Sequence, residues 1–142
     1  MVHTLAPRIR KFEPEDLREI LEIEEHAFPK TPYPEEVFKY YGRKPGTIFI
    51  VAEIDCSVVG YLIMEKGGHI ISTAVSPGQR RKGIGERLYR YAAGAAGQKL
   101  WLEVRSRNTG AISFYRSMGM KITGVSKNYY GDDDALIMVS ED

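Results

Sequence analysis

The chain has 142 residues and a mass of 16.1 kDa, and its 20 basic and 19 acidic residues leave a formal net charge of +1. This length fits one domain with one sizeable core, and the near-neutral balance argues against a general nucleic-acid binder, which would carry a basic excess. Cys56 is the only cysteine, so an internal disulfide and a zinc site built from cysteines are excluded. The apolar runs are too short to cross a bilayer and Met1–Thr4 has no signal-peptide core, so we expect a cytoplasmic protein without membrane contact.

The first half of the chain predicts two helices followed by a run of strands. The predicted elements are a strand at Pro7–Lys11, a helix from Pro14 to about Ala27, a short helix at Glu35–Tyr41, and strands at Ile48–Ile54, Val58–Glu65 and His69–Val75. Apolar residues at helical spacing, such as Leu17 and Ile20, mark the first helix, which Pro29 ends. Asp55 and the Gly67-Gly68 pair are turn signals, so the three strands should form an antiparallel meander.

The second half alternates helices with strands. The predicted elements are a helix from about Gly83 to Ala96, a strand at Leu100–Val104, a short helix at Ala111–Ser117, and strands at Lys121–Tyr130 and Ala135–Val139. Gly119, just past the second of these helices, is a typical helix end. The order predicts one α/β (α+β) domain over residues 1–142, a mixed sheet with helices on its faces.

The stretch from Val75 to Gly85 is the most informative part of the sequence, because it leaves a strand and opens a helix. Gly83 and Gly85 would let the backbone approach a ligand, and the first amides of the helix are unpaired donors beside the positive end of its dipole. Three cations, Arg80, Arg81 and Lys82, stand next to them. The pattern favours a phosphate or pyrophosphate site, although a solvated basic turn would look the same. Neither a P-loop nor a dinucleotide fingerprint fits.

Four blocks stand in register along nearly the whole chain. They are Ile23-Glu-Glu-x-x-Phe28-Pro29 with Pro32-Tyr33; Thr73–Pro77 followed by Arg80-x-x-Gly83-x-Gly85; Trp101-Leu-Glu-Val-Arg105 followed by Asn108-x-x-Ala111-Ile112-x-x-Tyr115-x-x-x-Gly119; and Asn128-Tyr129-Tyr130 followed by Asp133-Asp134-Ala135 and Met138. The second block resembles the acetyl-CoA loop of GNAT-superfamily N-acetyltransferases. Together the blocks resemble the RimI-type group, which comprises ribosomal-protein-alanine and archaeal N-terminal Nα-acetyltransferases.

The resemblance implies a GNAT fold, with a mixed, mostly antiparallel central sheet splayed between its fourth and fifth strands, helices on both faces, and acetyl-CoA in the resulting cleft. The cofactor-binding residues that it implies are Thr73, Ala74, Val75, Arg80, Arg81, Lys82, Gly83, Ile84, Gly85, Glu86, Asn108 and Tyr115. The implied substrate-side residues are Phe28, Pro29, Tyr33, Tyr129 and Tyr130. We therefore expect protein or peptide N-termini, ribosomal proteins among them, as partners of a monomer or weak dimer.

The implied activity is acetyl transfer from acetyl-CoA to a free α-amino group, by direct attack through a tetrahedral intermediate. The amine must be neutral, and an α-amino group has a pKa of roughly 7.7–8.0 against about 10.4 for lysine. A single carboxylate is then a sufficient base, and the resemblance assigns this role to Glu103. Tyr115 would stand near the thioester sulfur and donate a proton to the leaving thiolate.

Other interpretations remain open from the residues alone. Glu103 would be a surface carboxylate if it pairs with Arg105 or Arg107, Tyr115 would be core packing, and Asn108 would be only a helix N-cap. Asp132–Asp134 is either a solvated turn or an attractor for a substrate ammonium group. The three histidines are scattered along the chain, so we expect no metal site. At the level of function, the alternatives are a lysine or small-amine acetyltransferase and a non-catalytic CoA-binding module.

The substrate-side loop departs from the family pattern at one informative position. Lys30 follows Pro29 at the point where eukaryotic and some archaeal relatives carry a glutamate. A base on that loop is therefore absent, which leaves Glu103 as the expected one.

Overall fold

Within residues 6–80 and 82–141, which the computed structural model describes, the chain forms seven strands and four α-helices. The strands are β1 (Arg8–Lys11), β2 (Ile48–Ile54), β3 (Ser57–Glu65), β4 (His69–Val75), β5 (Trp101–Arg105), β6 (Met120–Ser126) and β7 (Ala135–Ser140). The helices are α1 (Leu17–Ala27), entered through a 3-10 turn at Pro14–Asp16, α2 (Glu35–Arg43), α3 (Ile84–Ala96) and α4 (Thr109–Ser117). The predicted order of elements is confirmed. None of the described helices combines the length and apolar character needed to span a membrane.

The strands form one mixed sheet in the spatial order β1-β2-β3-β4-β5-β7-β6. Neighbouring strands are antiparallel except β4 and β5, which run parallel. The predicted meander of β2, β3 and β4 is therefore confirmed. Its first turn is a two-residue hairpin at Asp55 and Cys56, both with positive φ, the geometry that matches the twist of paired strands.

The sheet parts between β4 and β5. Among the described residues, the pairing of these strands is limited to His69 opposite Trp101, where the Trp101 amide donates to the Gly68 carbonyl at 2.9 Å. Beyond this junction the strands diverge, so the last part of β4 pairs with β3 on one side while its other edge faces the gap. The expected splay between the fourth and fifth strands is confirmed.

Two hydrophobic clusters cover opposite faces of the sheet. On one face α3 packs its Ile84, Leu88 and Ala92, which recur at helical spacing, against β2, β3 and β4. On the other face α1 and α2 bury Ile20 and Phe38 against β2 and β3. Since successive residues of a strand point to opposite faces, β5 buries Leu102 and Val104 under α3 and α4 and presents its alternate residues to the α1 side.

Gly68 controls the junction between β4 and β5. Its φ is +80°, and a Cβ there would lie 2.2 Å from the Lys99 carbonyl oxygen. We expect Gly68→Ala to lower the free energy of unfolding by about 3 kcal/mol or more, because left-handed strain of about 1–2 kcal/mol adds to this clash with backbone. Chemical denaturation measures the change.

Gly67→Ala is the matched control for this prediction. Gly67 also has a positive φ, of +96°, but a Cβ there meets nothing within 4 Å. Its substitution should therefore show the left-handed strain alone, about 1–2 kcal/mol. Equal losses for the two variants would contradict the role assigned to the close approach at Gly68.

The strand predicted at Lys121–Tyr130 was too long. β6 ends at Ser126, and residues 127–134 form a turn in which Asn128 and Gly131 adopt positive φ. The Gly131 amide donates to the Asn128 carbonyl at 3.0 Å, and the Asn128 amide donates to the Asp134 carboxylate at 2.9 Å. These local hydrogen bonds replace the ladder, so Tyr129 and Tyr130 project from a turn rather than from a strand.

Candidate active site where the strands part

Glu103 and His69 meet where the sheet parts. Glu103 lies on β5 between two core residues, so it projects to the α1 side, and His69 is the first residue of β4. The Glu103 Oε1 atom is 2.6 Å from the His69 Nε2 atom, and the two side chains are 19% and 20% exposed. The His69 ring stacks on Trp101 with centroids 3.8 Å apart, which fixes its orientation. The result is an oriented, partly exposed carboxylate–imidazole pair.

The alternative pairing of Glu103 with a nearby arginine does not occur. Arg105 instead donates from Nη1 to Asp132 at 2.6 Å, and its guanidinium lies 4.2 Å from the centre of the Tyr130 ring. The backbone amide of Arg107 donates to Asp133. Glu103 therefore keeps one oxygen on His69 and turns the other towards the tyrosines of the turn.

Three of the predicted substrate-side residues lie near this carboxylate, and Tyr129 contacts it. The Tyr129 hydroxyl donates to Glu103 Oε2 at 3.4 Å, and Tyr129 packs edge-on against Tyr130 with ring centres 4.9 Å apart. Tyr33 is near enough to respond to the group's charges: burial first, and then Tyr129, Glu24 and Glu103, raise the pKa of Tyr33. Tyr129 is 53% exposed and Tyr33 40% exposed, so the tyrosines form an open wall rather than a core.

These tyrosines remain neutral at ordinary pH. Burial and the negative charge of Glu103 raise the pKa of Tyr129, and burial followed by Tyr129 raises the pKa of Tyr130 to about 12. They can therefore donate hydrogen bonds to the carbonyl groups of a peptide, but they cannot act as bases. Phe28 and Pro29 lie farther back in the loop, half-buried and exposed respectively.

The acidic turn is structural. Asp133 is buried and accepts hydrogen bonds from the Ser106 hydroxyl and the Arg107 amide, while Asp132 is paired with Arg105. Asp134 accepts from the Asn128 amide. These contacts tie residues 128–134 to the end of β5 and so hold the two tyrosines beside Glu103. The carboxylates of the turn are already bound by donors of the protein itself, which argues against the turn as an attractor for an ammonium group.

His69 is the functional candidate that sequence reasoning missed. The sequence predicts no metal site from its three scattered histidines and no other role for His69. The available signal was positional: His69 heads the strand expected to meet β5, and Glu103 lies two residues beyond the facing Trp101. The predicted meeting of the fourth and fifth strands could have placed the two side chains together.

The basic glycine turn leads from β4 into α3. Gly83 is the N-cap of α3 with φ of +79°, no side chain caps its amides, and a Cβ there would meet nothing within 4 Å. Arg80 donates from Nε to the Val75 carbonyl at 3.3 Å, and Lys82 is exposed, whereas Arg81 lies outside the described residues. The helix N-terminus is thus open and flanked by cations, the arrangement that suits a phosphate.

Gly85 has a packing role. A Cβ there would lie 3.3 Å from the Phe114 ring and 3.8 Å from Val75 Cγ2. The absence of a side chain therefore lets α3 approach α4 and the end of β4. The neighbouring Ile84 is buried in the core and Glu86 pairs with Arg90, so at these two positions only the backbone amides are left to meet a ligand.

The remaining cofactor candidates lie on the last part of β4 and on α4, where Tyr115 is a buried member of the hydrophobic core. Thr73, Ala74 and Val75 form the end of β4, and the Thr73 hydroxyl donates to the Tyr61 carbonyl at 2.9 Å. Asn108 caps α4 by accepting from the Ala111 amide at 3.1 Å, so the capping interpretation is correct, and any further contact to a cofactor stays a prediction. Tyr115 lies in the last part of α4, and burial raises its pKa far above the usual value.

A mixed sheet that parts between two parallel strands, with a basic glycine turn opening a helix at the gap, defines an N-acetyltransferase fold. The sequence profile of the Acetyltransferase (GNAT) family matches residues 15–120, and the chain belongs to this family. It is 41% identical over 142 residues to an uncharacterized N-acetyltransferase of Methanocaldococcus jannaschii, covering 94% of this chain and 90% of that one. It is 32% identical to an N-alpha-acetyltransferase of Sulfurisphaera tokodaii, covering 94% and 92%.

A solved structure shows the same architecture. The crystal structure of the ribosomal-protein-S18-alanine N-acetyltransferase from Escherichia coli superposes with a TM-score of 0.81 at 27% identity, covering 95% of this chain and 93% of that one. The GNAT fold and the N-acetyltransferase class are therefore established, as is the likeness to the RimI-type and archaeal N-terminal enzymes.

Proposed function

We propose that this N-acetyltransferase transfers acetyl from acetyl-CoA to the free α-amino group of protein or peptide N-termini, ribosomal or nascent proteins among them. The observation that carries the proposal is the Glu103–His69 pair, held open beside exposed tyrosines at the point where the sheet parts. The relatives named above support it, since one is an N-alpha-acetyltransferase and another acetylates the alanine of a ribosomal protein.

The residues at the gap fit acetyl-CoA. The uncapped amides at the start of α3, the open space over Gly83 and the cations at 80 and 82 suit a pyrophosphate. The free edge of β4 from Thr73 to Val75 offers backbone groups to an extended, amide-bearing arm. When bound, acetyl-CoA supplies an acetyl group activated as a thioester.

Glu103 and His69 act on the amine. An incoming ammonium group must lose a proton before it can attack, and a carboxylate hydrogen-bonded to an imidazole can accept that proton either directly or through one water. The stacking of His69 on Trp101 holds the imidazole in line with the carboxylate. Cys56 is exposed at the hairpin between β2 and β3, so a direct transfer without a cysteine acyl-enzyme fits the geometry.

Tyr115 acts on the leaving group. Burial raises its pKa, so the phenol is fully protonated at neutral pH and can donate to a developing thiolate. We expect Tyr115→Phe to lower kcat by about 10–100-fold while the Kd of acetyl-CoA stays within about two-fold of wild type. Steady-state kinetics and calorimetry measure the two quantities.

Tyr89→Phe serves as the control for Tyr115→Phe. Tyr89 is also buried, on α3, in the same hydrophobic cluster as Tyr115, and also has a pKa raised by burial, but the proposed chemistry does not use it. Its substitution should leave kcat within about two-fold of wild type. An unchanged kcat in Tyr115→Phe would remove Tyr115 from the mechanism.

An intact-mass assay against a library of N-terminal peptides tests the function directly. Purified protein and acetyl-CoA should add one acetyl group to peptides with a free N-terminus. The same peptides with a blocked N-terminus and a free lysine should stay unmodified; modification of those alone would favour a lysine acetyltransferase. Binding of CoA without any acetyl transfer across a broad amine library would favour a non-catalytic module.

A further inference from the structure

Glu24 is a buried carboxylate that the proposed chemistry does not use. It lies on the inner face of α1 and is 2% exposed. Its Oε1 atom accepts a hydrogen bond from the Tyr61 hydroxyl, which in turn lies 2.8 Å from the Ser72 hydroxyl. A phenol has a single proton, so with Tyr61 donating to Glu24, Ser72 is the donor to Tyr61. This chain of hydrogen bonds anchors one carboxylate oxygen to β3 and β4.

The second carboxylate oxygen holds the loop of residues 28–34. The Tyr33 amide donates to Glu24 Oε2 at 2.8 Å, and the Phe28 amide donates to the Glu24 carbonyl at 2.8 Å. Three of the seven loop residues are prolines, which have no amide proton, so the loop has four backbone donors and two of them bind Glu24. The Phe28 bond is the ordinary main-chain end of α1, whereas the Tyr33 bond depends on the Glu24 side chain, which therefore fixes the far end of the loop.

The loop carries Tyr33 to the site. The Tyr33 ring packs edge-on against Phe38 with centres 6.4 Å apart, and Phe38 packs edge-on against Tyr61 at 5.6 Å. Tyr61 therefore contacts the two groups that hold Tyr33. These are the Glu24 carboxylate, which binds the Tyr33 amide, and the Phe38 ring, which packs against the Tyr33 ring. The Tyr33 hydroxyl is within electrostatic range of Tyr129 and Glu103.

Packing alone does not call for a carboxylate at this position. Burial raises the pKa of Glu24, which reflects the cost of removing the charge from water. An apolar side chain of similar length would fill the same space without that cost. What an apolar side chain cannot do is accept the Tyr33 amide, and the three prolines leave the loop few other hydrogen bonds.

We infer that Glu24 is a positioning residue for peptide binding: its carboxylate binds the Tyr33 amide and so holds the 28–34 loop, and with it the proposed peptide-side residue Tyr33, in place. This inference rests on the proposed function, because it assigns Tyr33 to the peptide side of the site. It predicts an effect on peptide affinity rather than on the chemical step. Hydrogen bonding at Glu24, not its charge, is the property that matters.

Two near-isosteric variants separate the hydrogen bonding of Glu24 from its charge. Glu24→Met keeps the length of the side chain and removes both acceptors, and it should raise the peptide KM by about ten-fold or more, with kcat and the acetyl-CoA KM within about two-fold of wild type. Glu24→Gln keeps an acceptor for Tyr33 and should stay within about three-fold of wild type. Glu25→Met, at the exposed neighbouring position of the same helix, is the matched control and should change nothing.

Amide exchange in the wild-type protein gives a second readout that needs no variant. The Tyr33 amide should exchange at least about 100-fold more slowly than the amide of Thr31 on the same exposed loop, because only the former is bound to a buried carboxylate. Equal exchange rates would overturn the inference, even if Glu24→Met does not fold.

The kinetic outcomes distinguish this inference from the proposed function. An active wild type with an unchanged peptide KM in Glu24→Met, or a Glu24→Gln variant as impaired as Glu24→Met, would refute the role of Glu24 alone. A loss of kcat at constant KM would also refute it, since it would place Glu24 in the chemistry. A wild type that acetylates no peptide would refute the proposed function itself.

Discussion

Glu103→Gln is expected to lower kcat/KM for an N-terminal peptide by about 100-fold or more, because general-base catalysis contributes roughly 100- to 10,000-fold and glutamine cannot accept the proton. The substitution keeps the volume and a hydrogen bond to His69, so the fold and the acetyl-CoA affinity should be retained. Initial rates on N-terminal peptides measure the effect.

Two controls make the result specific to the pair. Glu36→Gln, at an exposed position of α2, should leave kcat/KM unchanged. His69→Ala should lower kcat/KM as well, and the double variant should be little worse than Glu103→Gln alone, since the two groups are 2.6 Å apart and act as a unit. Full additivity of the two losses would argue against a joint role, and an unchanged kcat in Glu103→Gln would exclude the carboxylate as the base.

Gly83→Asp is expected to weaken acetyl-CoA binding by about 100-fold, since about 2.7 kcal/mol of lost phosphate interaction corresponds to two factors of ten. The aspartate would place a side chain in the open space at the start of α3 and a negative charge beside the amides that would meet the pyrophosphate. Calorimetric titration with acetyl-CoA measures the loss.

Gly97→Asp and Gly83→Ala provide matched comparisons. Gly97 caps the other end of α3 with a φ of +63°, and a Cβ there would meet nothing within 4 Å, so the same charge and similar strain are introduced away from the proposed phosphate site. The acetyl-CoA affinity of Gly97→Asp should equal that of wild type. Gly83→Ala reports the backbone strain without the charge, and its acetyl-CoA affinity should lie between those of Gly83→Asp and Gly97→Asp. Preserved affinity in Gly83→Asp would refute the placement of the pyrophosphate.

The placement of Tyr129 and Tyr130 shows where local patterns mislead. Residues 121–130 include β-branched and aromatic residues that favour a strand, and the prediction continued β6 to Tyr130. The chain instead turns after Ser126, because Asp133 is drawn to the Ser106 hydroxyl and the Arg107 amide. Those partners lie 26 and 27 residues away, so no local pattern could have shown that the acidic residues are structural.

Gly83 and Gly85 were both predicted to lie at the ligand, but their surroundings in the structure differ. Gly83 was expected to open the backbone to a ligand, and its conformation and surroundings are consistent with that expectation. Gly85 carries the same chemical signal but lies against Phe114, a residue of α4. A glycine in the sequence indicates that a side chain is absent, whereas only the packed structure tells whether a ligand or another helix takes the space.

Periodicity, prolines and glycine turns were enough to predict the order of the strands and helices and the basic turn before α3, because each of these depends on residues a few positions apart. The resemblance added the splayed sheet and Glu103. The partner of Glu103 emerged only in three dimensions: His69 lies 34 residues earlier and meets it because β4 and β5 run parallel, pair once and then part. The support of Tyr33 by Glu24 and Tyr61 likewise depends on a helix packing across a sheet, so long-range geometry rather than local sequence assembles the site.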